Sequence, residues 1–402
     1  MQPQSLQGIK VIDLSRVLAG PSSTQILADL GAEVIKIERP NIGDETRYWS
    51  PPVFTNDDGS ETSAYFATVN RNKSSLTLDI SHPEGQAIIK KLIKEADILV
   101  ENFKVGNLAK YGLDYESVKA INPQLIYASL TGFGQTGVDA HKAGYDYIIQ
   151  GMSGLMSITG PADGEPHKVG VAVVDLFAGL QLTIGIQSAL LARAHTGLGQ
   201  HVDVALLDSA ITMLANVGMN HLATDKVPPR LGNFHPNIVP YQVFNACDGH
   251  FILACGNDKQ FIKVCEVMEQ DWYQDEKFAT NPQRVANRDE LVPKMEAVFA
   301  TKTRAEWLAK FEKVSVASGP INNIAEAVAM PQVQQREMVV DFTQSEQTQS
   351  AVKTLGNPIK LSATPVQYNT APPTLGEHTV EVLSELGLSD KEIRELQDKG
   401  VI

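Results

Sequence analysis

The amino-acid sequence predicts an α/β protein whose main domain contains an open parallel sheet. Over the first 200 residues, short apolar runs typical of buried strands alternate with stretches that have helix signals. Strands separated by helices pair in parallel through right-handed crossovers. At 402 residues the chain also exceeds the usual size of one domain, so a second domain is expected.

The predicted elements of the sheet follow one another with their own start and stop signals. The first strand is predicted from Ile9 to Leu14, a loop then passes through Gly20-Pro21, and a helix continues to Leu30. Gly31 ends this helix, because glycine accepts the left-handed backbone found after a helix. The further elements in order are a strand from Val34 to Ile37, a helix from Pro83 to Glu95, strands from Ile98 to Val100 and from Leu125 to Ser129, an apolar helix from Leu176 to Thr196, a strand from Val202 to Ala205 and a helix from Leu206 to His221.

A change in composition marks the expected crossing into a second domain. The segment from Thr224 to His235 is rich in proline, glycine and asparagine. A hairpin is predicted next, because Asp248-Gly249 is a favoured turn dipeptide between two apolar runs. Helices are predicted around residues 258–269, 287–299 and 303–313, and two short helices end the chain.

Composition and charge exclude several classes of partner. The net charge of −13 argues against nucleic acid, since phosphate neutralisation needs a basic face. No run of about 18 apolar residues and no signal peptide is seen, so no membrane partner is expected. Three cysteines are too few for a disulfide framework, and the histidines show no ligand spacing, so no metal site is expected. A cytoplasmic protein fits best.

A candidate phosphate-binding arginine follows the second predicted strand. A nicotinamide-binding fold requires G-x-G-x-x-G at this turn, but the sequence has only Gly20, which disfavours a dehydrogenase. Glu38 and Arg39 follow the second strand, and a guanidinium suits phosphate better than a hydroxyl. The alternative is that both are surface polar residues at a strand end.

Asp175 is the candidate nucleophile. It lies between a strand-like run, VGVAVV, and the apolar helix that begins with LFAGL. An ordinary helix N-cap is the simpler interpretation, because aspartate is favoured there. The two roles are compatible, since the N–H groups of the helix end would keep the carboxylate ionised, as a nucleophile requires.

Separated blocks of sequence, running nearly from end to end, resemble the family III CoA-transferases, which include formyl-CoA transferase and the carnitine CoA-transferase type. The blocks are RVLAGPSSTQILADLGAEVIKIERP, NRNKSSLTLDI, ADILVENFKVG, GYDYIIQGMSGLMSITG with VVDLFAGL, TGLGQHVDVALLDSA and PTLGEHTVEVLSELGLS. The resemblance implies a Rossmann-like large domain built from both chain ends, residues 1–222 and 326–402. It also implies a smaller inserted α+β domain at 223–325, and a homodimer whose chains interlock like rings.

The resemblance assigns roles to individual residues. Asp175 matches the catalytic aspartate, and Tyr145 matches a tyrosine close to it. Arg39 matches an arginine near the adenosine phosphate, and Lys110 stands where formyl-CoA transferase has an arginine. The full set of residues expected to contact CoA is Leu18, Ala19, Arg39, Asn102, Phe103 and Lys110.

The implied reaction exchanges coenzyme A between an acyl-CoA and a small free carboxylic acid, with CoA as a substrate and no permanently bound cofactor. Asp175 would form a mixed anhydride and then an aspartyl-CoA thioester, which splits one difficult exchange into easier steps. We hypothesise that Arg230 or His235 binds the far carboxylate of a dicarboxylic acyl group such as succinyl or glutaryl. Solvated linker residues are the alternative.

Two other functions are alternatives to CoA transfer. Racemases of 2-methylacyl-CoA pair the aspartate with a histidine in a GHD motif, whereas this chain has Gly144-Tyr145-Asp146. A phenol with a pKa near ~10 replaces imidazole poorly at neutral pH. The other alternative is a CoA-binding protein without catalysis, which the retention of Asp175 in its full context disfavours.

Overall fold

The computed structural model describes residues 3–56, 59–344 and 350–402. The strands in this part of the chain are β1 (Lys10–Asp13), β2 (Glu33–Glu38), β3 (Val53–Thr55), β4 (Glu61–Ser63), β5 (Lys73–Thr77), β6 (Ile98–Glu101), β7 (Ile126–Thr131), β8 (His201–Ala205), β9 (Tyr241–Ala246), β10 (Gly249–Ala254), β11 (Ala317–Pro320), β12 (Val339–Asp341) and β13 (Lys353–Leu355). The α-helices are α1 (Ala19–Asp29), α2 (Ala64–Ala67), α3 (Pro83–Glu95), α4 (Tyr115–Ile121), α5 (Asp146–Met152), α6 (Leu155–Ile158), α7 (Val173–Thr196), α8 (Leu206–Met213), α9 (Ala215–Thr224), α10 (Asp258–Met268), α11 (Asn281–Ala286), α12 (Arg288–Phe299), α13 (Arg304–Lys313), α14 (Ile324–Ala329), α15 (Pro331–Gln335), α16 (Thr379–Glu385) and α17 (Asp390–Asp398).

The predicted parallel sheet is confirmed. Six strands lie in the order β5-β2-β1-β6-β7-β8, and all neighbouring pairs are parallel. Val11 of β1 is level with Val34 of β2 and with Ile98 of β6. The strand order reverses at the β1–β6 boundary, and ligands of open α/β sheets bind at such a point, beyond the carboxyl ends of the strands.

A single apolar core supports one face of this sheet. Helix α3 buries Ile88, Ile89, Leu92 and Ile93, a spacing that places all four on one side of the helix. The same core includes Val382, Leu383, Ile393 and Leu396 of the C-terminal helices. The chain therefore returns to the sheet at its end.

Helix α7 is the long apolar helix of the sheet unit. By length and composition it could cross a membrane, although the sequence indicated no such stretch because Asp175, Gln181 and Gln187 interrupt its apolar residues. It buries Val174, Ala178, Leu182 and Ile186 at intervals of four residues, the pattern of a helix packed on one face.

Two elements differ from the sequence-based expectation. The helix predicted from Leu206 to His221 is divided into α8 and α9, with Ala215 at a φ of 45° at the break. Strand β5 was not predicted, because its sequence KSSLT is polar. Its Lys73 and Ser75 are nevertheless buried, and they bond to the carboxylates of Asp13 in β1 and Glu38 in β2.

The chain divides into two compact units. The first comprises the residues up to Ser153, Val169–Met213 and Pro331–Ile402, and the second comprises Gly154–Lys168 and Leu214–Met330. The second unit has the predicted hairpin, β9 and β10, in an antiparallel sheet with β11. Its core is aromatic, with Phe244, Phe251, Phe299 and Trp307 in contact. The predicted domain limits at 222/223 and 325/326 stay a prediction, because compactness does not test which part folds alone.

Candidate functional site

The turn between β1 and α1 has a strained backbone. Val17 has a φ of 71°, a conformation that is costly for a β-branched residue. Its N–H donates to both carboxylate oxygens of Asp44, at 3.3 and 3.2 Å. On the other side the Asn102 amide accepts from the Arg16 N–H at 3.0 Å and donates to the Arg16 carbonyl at 2.7 Å. Leu18 is thereby fixed at the carboxyl edge of the sheet.

Buried ion pairs beneath this turn hold it in place. Lys36 contacts Asp44 at 2.9 Å, and both side chains are fully buried. Lys36 also donates to the Ser15 carbonyl at 2.8 Å. Burial acts to raise the pKa of Asp44, but the charge of Lys36 and hydrogen bonds from Thr46 outweigh it, so the pKa lies below its ordinary value. Asp44 therefore remains an anionic acceptor for the Val17 N–H.

Glu38 is not a surface residue, and the polar-surface interpretation is wrong for it. The residue is 3% exposed, and its carboxylate accepts two hydrogen bonds from Arg47, at 2.8 and 2.7 Å. Ser75 donates a third at 2.7 Å. Burial acts to raise the pKa of Glu38, but the hydrogen bonds and charges of Arg47 and Lys36 lower it overall. Arg39, by contrast, is exposed.

Two adjoining cavities bring most of the predicted residues together. The first, of about 460 Å³, is lined by Arg16, Arg39, Phe103 and Tyr111 among others. The second, of about 280 Å³, has six predicted residues in its wall: Leu18, Ala19, Asn102, Phe103, Tyr145 and Asp175. Lys110 lines neither cavity, but its ammonium lies 4.8 Å from the centre of the Tyr111 ring.

Close helix packing brings Asp175 to this cavity. Asp175 is in the first turn of α7. One turn later, Gly179 lies so close to α1 that an added Cβ would be 2.6 Å from the Ala19 carbonyl oxygen. Only glycine permits this approach. The strand predicted before α7 is absent in the described residues, because Val171 is 58% exposed and does not join a sheet.

The electrostatic setting of Asp175 differs from the expectation. The N–H groups of Val174 and Asp175 donate to the Asp146 carboxylate, at 2.8 and 3.3 Å. Asp146 therefore caps α7, and the idea that helix N–H groups keep Asp175 ionised is wrong. Burial first, and then the charge of Asp146, raise the pKa of Asp175 to about 7. Such an upward shift in a cavity is a mark of functional carboxylates.

Asp146, which bonds to the start of α7, is a site residue that sequence reasoning missed, and Tyr65 is a second residue coupled electrostatically to Asp175. Asp146 also accepts from the buried Gln150 amide at 2.6 Å, and the available signal was its place directly after Tyr145. The pKa of Tyr65 is raised by burial, then by the charges of Asp175 and Asp146. No sequence signal singled Tyr65 out.

A close crossing of two glycines shapes the segment that carries Tyr145. An added Cβ on Gly132 would be 2.5 Å from the Gly144 Cα, and the reverse overlap is equally close. Tyr145 directly follows and is 64% exposed at the start of α5. Glycine at both positions therefore lets the loop return to the cavity wall.

Arg230 and His235 lie in the second unit. The Arg230 guanidinium donates to the carbonyls of Ser157, at 3.0 Å, and Pro161, at 2.9 Å, and to that of Gly164. The His235 Nδ1 accepts from the Asn237 N–H at 3.1 Å. Their predicted contact with substrate stays a prediction.

Comparison with known proteins gives consistent matches over nearly the whole chain. A family model described as CoA-transferase family III matches residues 6–379. The chain is 49% identical to the succinate–glutarate CoA-transferase of Agrobacterium fabrum, over 95% of each chain. It is 42% identical to the succinyl-CoA:glutarate CoA-transferase of Mus musculus, over 99% of this chain and 90% of the other. A solved CaiB/BaiF family protein from Brucella suis is 48% identical, with a TM-score of 0.84 over 96% of this chain and 100% of that one.

Proposed function

This chain belongs to the family III CoA-transferases, and from that premise we propose that Asp175 is the nucleophile that exchanges CoA between two dicarboxylic acids. The observation that carries the proposal is the placement of Asp175. A carboxylate with a pKa of about 7 lies in the same cavity wall as Leu18 and Asn102, two residues expected to contact CoA.

The proposed reaction proceeds through two covalent states of Asp175. The carboxylate attacks the thioester carbonyl, a C–O bond forms, the C–S bond breaks, and CoA leaves as a thiolate. The thiolate then attacks the aspartyl carbonyl and releases the first acid, which leaves an aspartyl-CoA thioester. The second acid reverses both steps. The raised pKa of Asp175 makes its ionised form a more basic, and hence better, nucleophile than an exposed carboxylate.

The larger cavity suits the nucleotide end of CoA. Arg39 lies in its wall and is exposed, so its guanidinium is available to a phosphate. Phe103 lies in the walls of both cavities. We infer a CoA path from the Arg39 cavity, past Phe103, to Asp175, with Lys110 adding positive charge beside Tyr111.

Dicarboxylates are the proposed acids because both similar transferases are named for succinate or succinyl-CoA and glutarate. Within this chain, Arg230 and His235 are the proposed contacts for the far carboxylate. A guanidinium has five N–H groups, and within the described residues the carbonyls of the second unit take one N–H from each of the three nitrogens of Arg230. Two N–H groups therefore remain for a carboxylate.

The proposed assembly is a cytoplasmic, interlocked homodimer with the inserted small domain described by residues 223–325. Its partners are acyl-CoA, a carboxylic acid and a second copy of the chain, without nucleic acid or membrane. Two observations support it. The C-terminal helices pack in the core of the sheet unit, and α7 exposes Leu180, Ile184 and Leu191, by 48%, 63% and 70%. Exposed apolar rows of this kind mark association surfaces.

The test uses succinyl-CoA with a panel of mono- and dicarboxylic acids, followed by mass spectrometry of the acyl-CoA products. Glutaryl-CoA is expected from the natural chain and not from Asp175→Ala or the isosteric Asp175→Asn. Without acceptor, the intact natural protein should gain the mass of a CoA adduct, and the variants should not. New thioesters formed equally well by Asp175→Asn would refute the mechanism. Deuterium exchange at the α-carbon of 2-methylacyl-CoA, without transfer, would favour racemisation.

Substrate choice is tested separately with Arg230→Ala. The KM for glutarate is expected to rise while the KM for succinyl-CoA changes less, and the preference for diacids over monoacids should fall. His235→Asn serves as the companion variant. An unchanged preference for diacids in both variants would contradict the proposed carboxylate contact.

A further inference from the structure

Glu101, at the carboxyl end of β6, is a buried carboxylate without a cation. It is 4% exposed, and no positively charged group of the described residues acts on its pKa. Burial raises this pKa, the charge of Asp203 adds to the increase, and hydrogen bonds from Ser129 and the Phe103 N–H oppose it. A buried carboxylate is costly unless it is compensated, so its retention at a ligand-binding edge of the sheet points to a use.

Two further polar residues continue from Glu101 across the sheet. Ser129 of β7 is directly level with Glu101, and its hydroxyl is 2.9 Å from Nε2 of His201 at the start of β8. Burial lowers the pKa of His201, against the opposing charges of Asp203 and Glu116. A neutral His201 with a proton on Nε2 donates to Ser129, and the hydroxyl proton is then available to Glu101.

The imidazole of His201 has a fixed orientation. The Tyr115 ring stacks on it at 5.0 Å between centroids, and the Tyr127 ring meets it edge-on at 5.3 Å. Both tyrosines, with His201, Ser129 and Glu101, line a third cavity, of about 360 Å³. The chain of three polar groups is therefore held rigidly along one face of the sheet.

The other end of this chain reaches the expected CoA path. Glu101 Oε2 accepts the Phe103 N–H at 2.7 Å, and Phe103 lies in the walls of all three cavities. The neighbouring Asn102 clamps the backbone of Arg16, before the strained Val17 turn. A change at Glu101 is thus transmitted to the turn of Asn102 and Phe103 and, through Asn102, to the turn at Val17, both of which are expected to contact CoA.

We propose that Glu101, Ser129 and His201 act together as positioning residues for CoA. They hold the turn of Asn102 and Phe103 in the shape that receives CoA, and they take no part in acyl transfer. This inference rests on the proposed function, because CoA is the ligand whose binding it concerns.

The experiment measures CoA affinity by calorimetry, and KM and kcat with succinyl-CoA and glutarate, in Ser129→Ala and Glu101→Gln. Ser129→Ala breaks the chain, and loss of one buried hydrogen bond is expected to weaken CoA binding and raise the KM for succinyl-CoA about five- to tenfold. The KM for glutarate and kcat should change less than about twofold, since transfer itself is untouched. Glu101→Gln keeps an acceptor for the Phe103 N–H and turns an N–H donor toward Ser129, whose hydroxyl then donates to Nε2 of the other His201 tautomer. It should therefore retain near-natural affinity, whereas Glu101→Ala should not.

Tyr127→Phe is the matched control. It removes a buried hydroxyl that donates to the Leu113 carbonyl at 2.8 Å and lies in the same cavity, but it leaves the polar chain intact. Thermal unfolding is recorded for every variant. An unchanged CoA affinity in Ser129→Ala, or an equal loss in Tyr127→Phe, overturns the inference.

The proposed function can be refuted separately from this inference. A natural chain that binds CoA but transfers it to no acid refutes the function, while the affinities of the variants still decide the positioning role. A natural chain that does not bind CoA refutes both.

Discussion

Replacing Asp146 by asparagine removes the negative charge that acts on Asp175 while keeping a side chain able to cap α7. Asparagine is as good an N-cap as aspartate, and its carbonyl can still accept the N–H of Val174. Removal of a neighbouring negative charge favours the ionised form of Asp175, so its pKa must fall. The acid limb of the pH–rate profile should therefore move to lower pH.

The structure bounds the size of this effect. The pKa of Asp175 rises from 3.8 to about 7, and burial is a larger cause than the charge of Asp146. Asp146 then accounts for less than half of the increase, so Asp146→Asn should lower the midpoint by at most about 1.5, equivalent to about 2 kcal/mol. With that change, the ratio of the rate at pH 6 to the rate at pH 8 rises up to about eightfold.

The assay is the initial rate of glutaryl-CoA formation from succinyl-CoA between pH 5 and 9, at subsaturating substrates. Kcat/KM then reports the free enzyme. Asp208→Asn is the control, because this carboxylate is exposed on α8 and is not among the causes of the Asp175 pKa. An identical midpoint in Asp146→Asn and the natural chain, with equal thermal stability, would refute the electrostatic coupling. A natural midpoint near pH 4 would refute the raised pKa itself.

Three other predictions concern packing and binding. Gly179→Ala should cost about 1–3 kcal/mol of stability and about 100-fold in kcat/KM, since misplacement of a catalytic group by about 1 Å has that effect. Gly185→Ala on the same helix, whose Cβ would meet only the Val202 side chain, should lower kcat/KM far less, and equal losses would contradict the argument. Asn102→Ala should raise the KM for succinyl-CoA about tenfold by releasing the clamped turn, and a change in kcat alone would count against it. Arg284→Ala should lower the unfolding free energy by about 3 kcal/mol, because it leaves the carbonyls of two residues unpaired; denaturant unfolding measures this, and less than about 0.5 kcal/mol would disprove it.

The sequence predicted those parts of the fold that depend on local pattern. Helix α3 begins and ends where Pro83 and Glu95 indicated, because proline at the first turn and four apolar residues on one face are local features. The carboxyl-edge location of Leu18 and Asn102 likewise follows from the strands that precede them. The family and enzyme class were also accessible, because the order of several sequence blocks is specific even where each is weak alone.

The parts that escaped prediction depend on partners distant in sequence. Asp146 is 29 residues from Asp175, and nothing near Asp175 shows which acceptor takes the N–H groups of its helix. The local pattern of strand, aspartate and helix therefore suggested that the helix N–H groups keep Asp175 ionised. In the fold these N–H groups donate to a second carboxylate, that of Asp146. Strand β5 escaped for a related reason, since Lys73 is buried only because Asp13 lies 3.1 Å away.

The direction of the pKa shift divides the carboxylates of the site into two groups. Burial acts to raise the pKa of Asp13, Glu38, Asp44, Asp175 and Glu101, and the outcome depends on whether a cation is supplied. The carboxylates whose pKa is lowered overall, by lysine or arginine and by hydrogen bonds, are Asp13, Glu38 and Asp44. These support the strained turn and the sheet edge. Asp175 and Glu101 receive no cation among the described residues, and their pKa is raised. A carboxylate removed from water without a cation is retained at a cost, so these two are the positions where we propose that stability has been given up for nucleophilicity and for ligand placement.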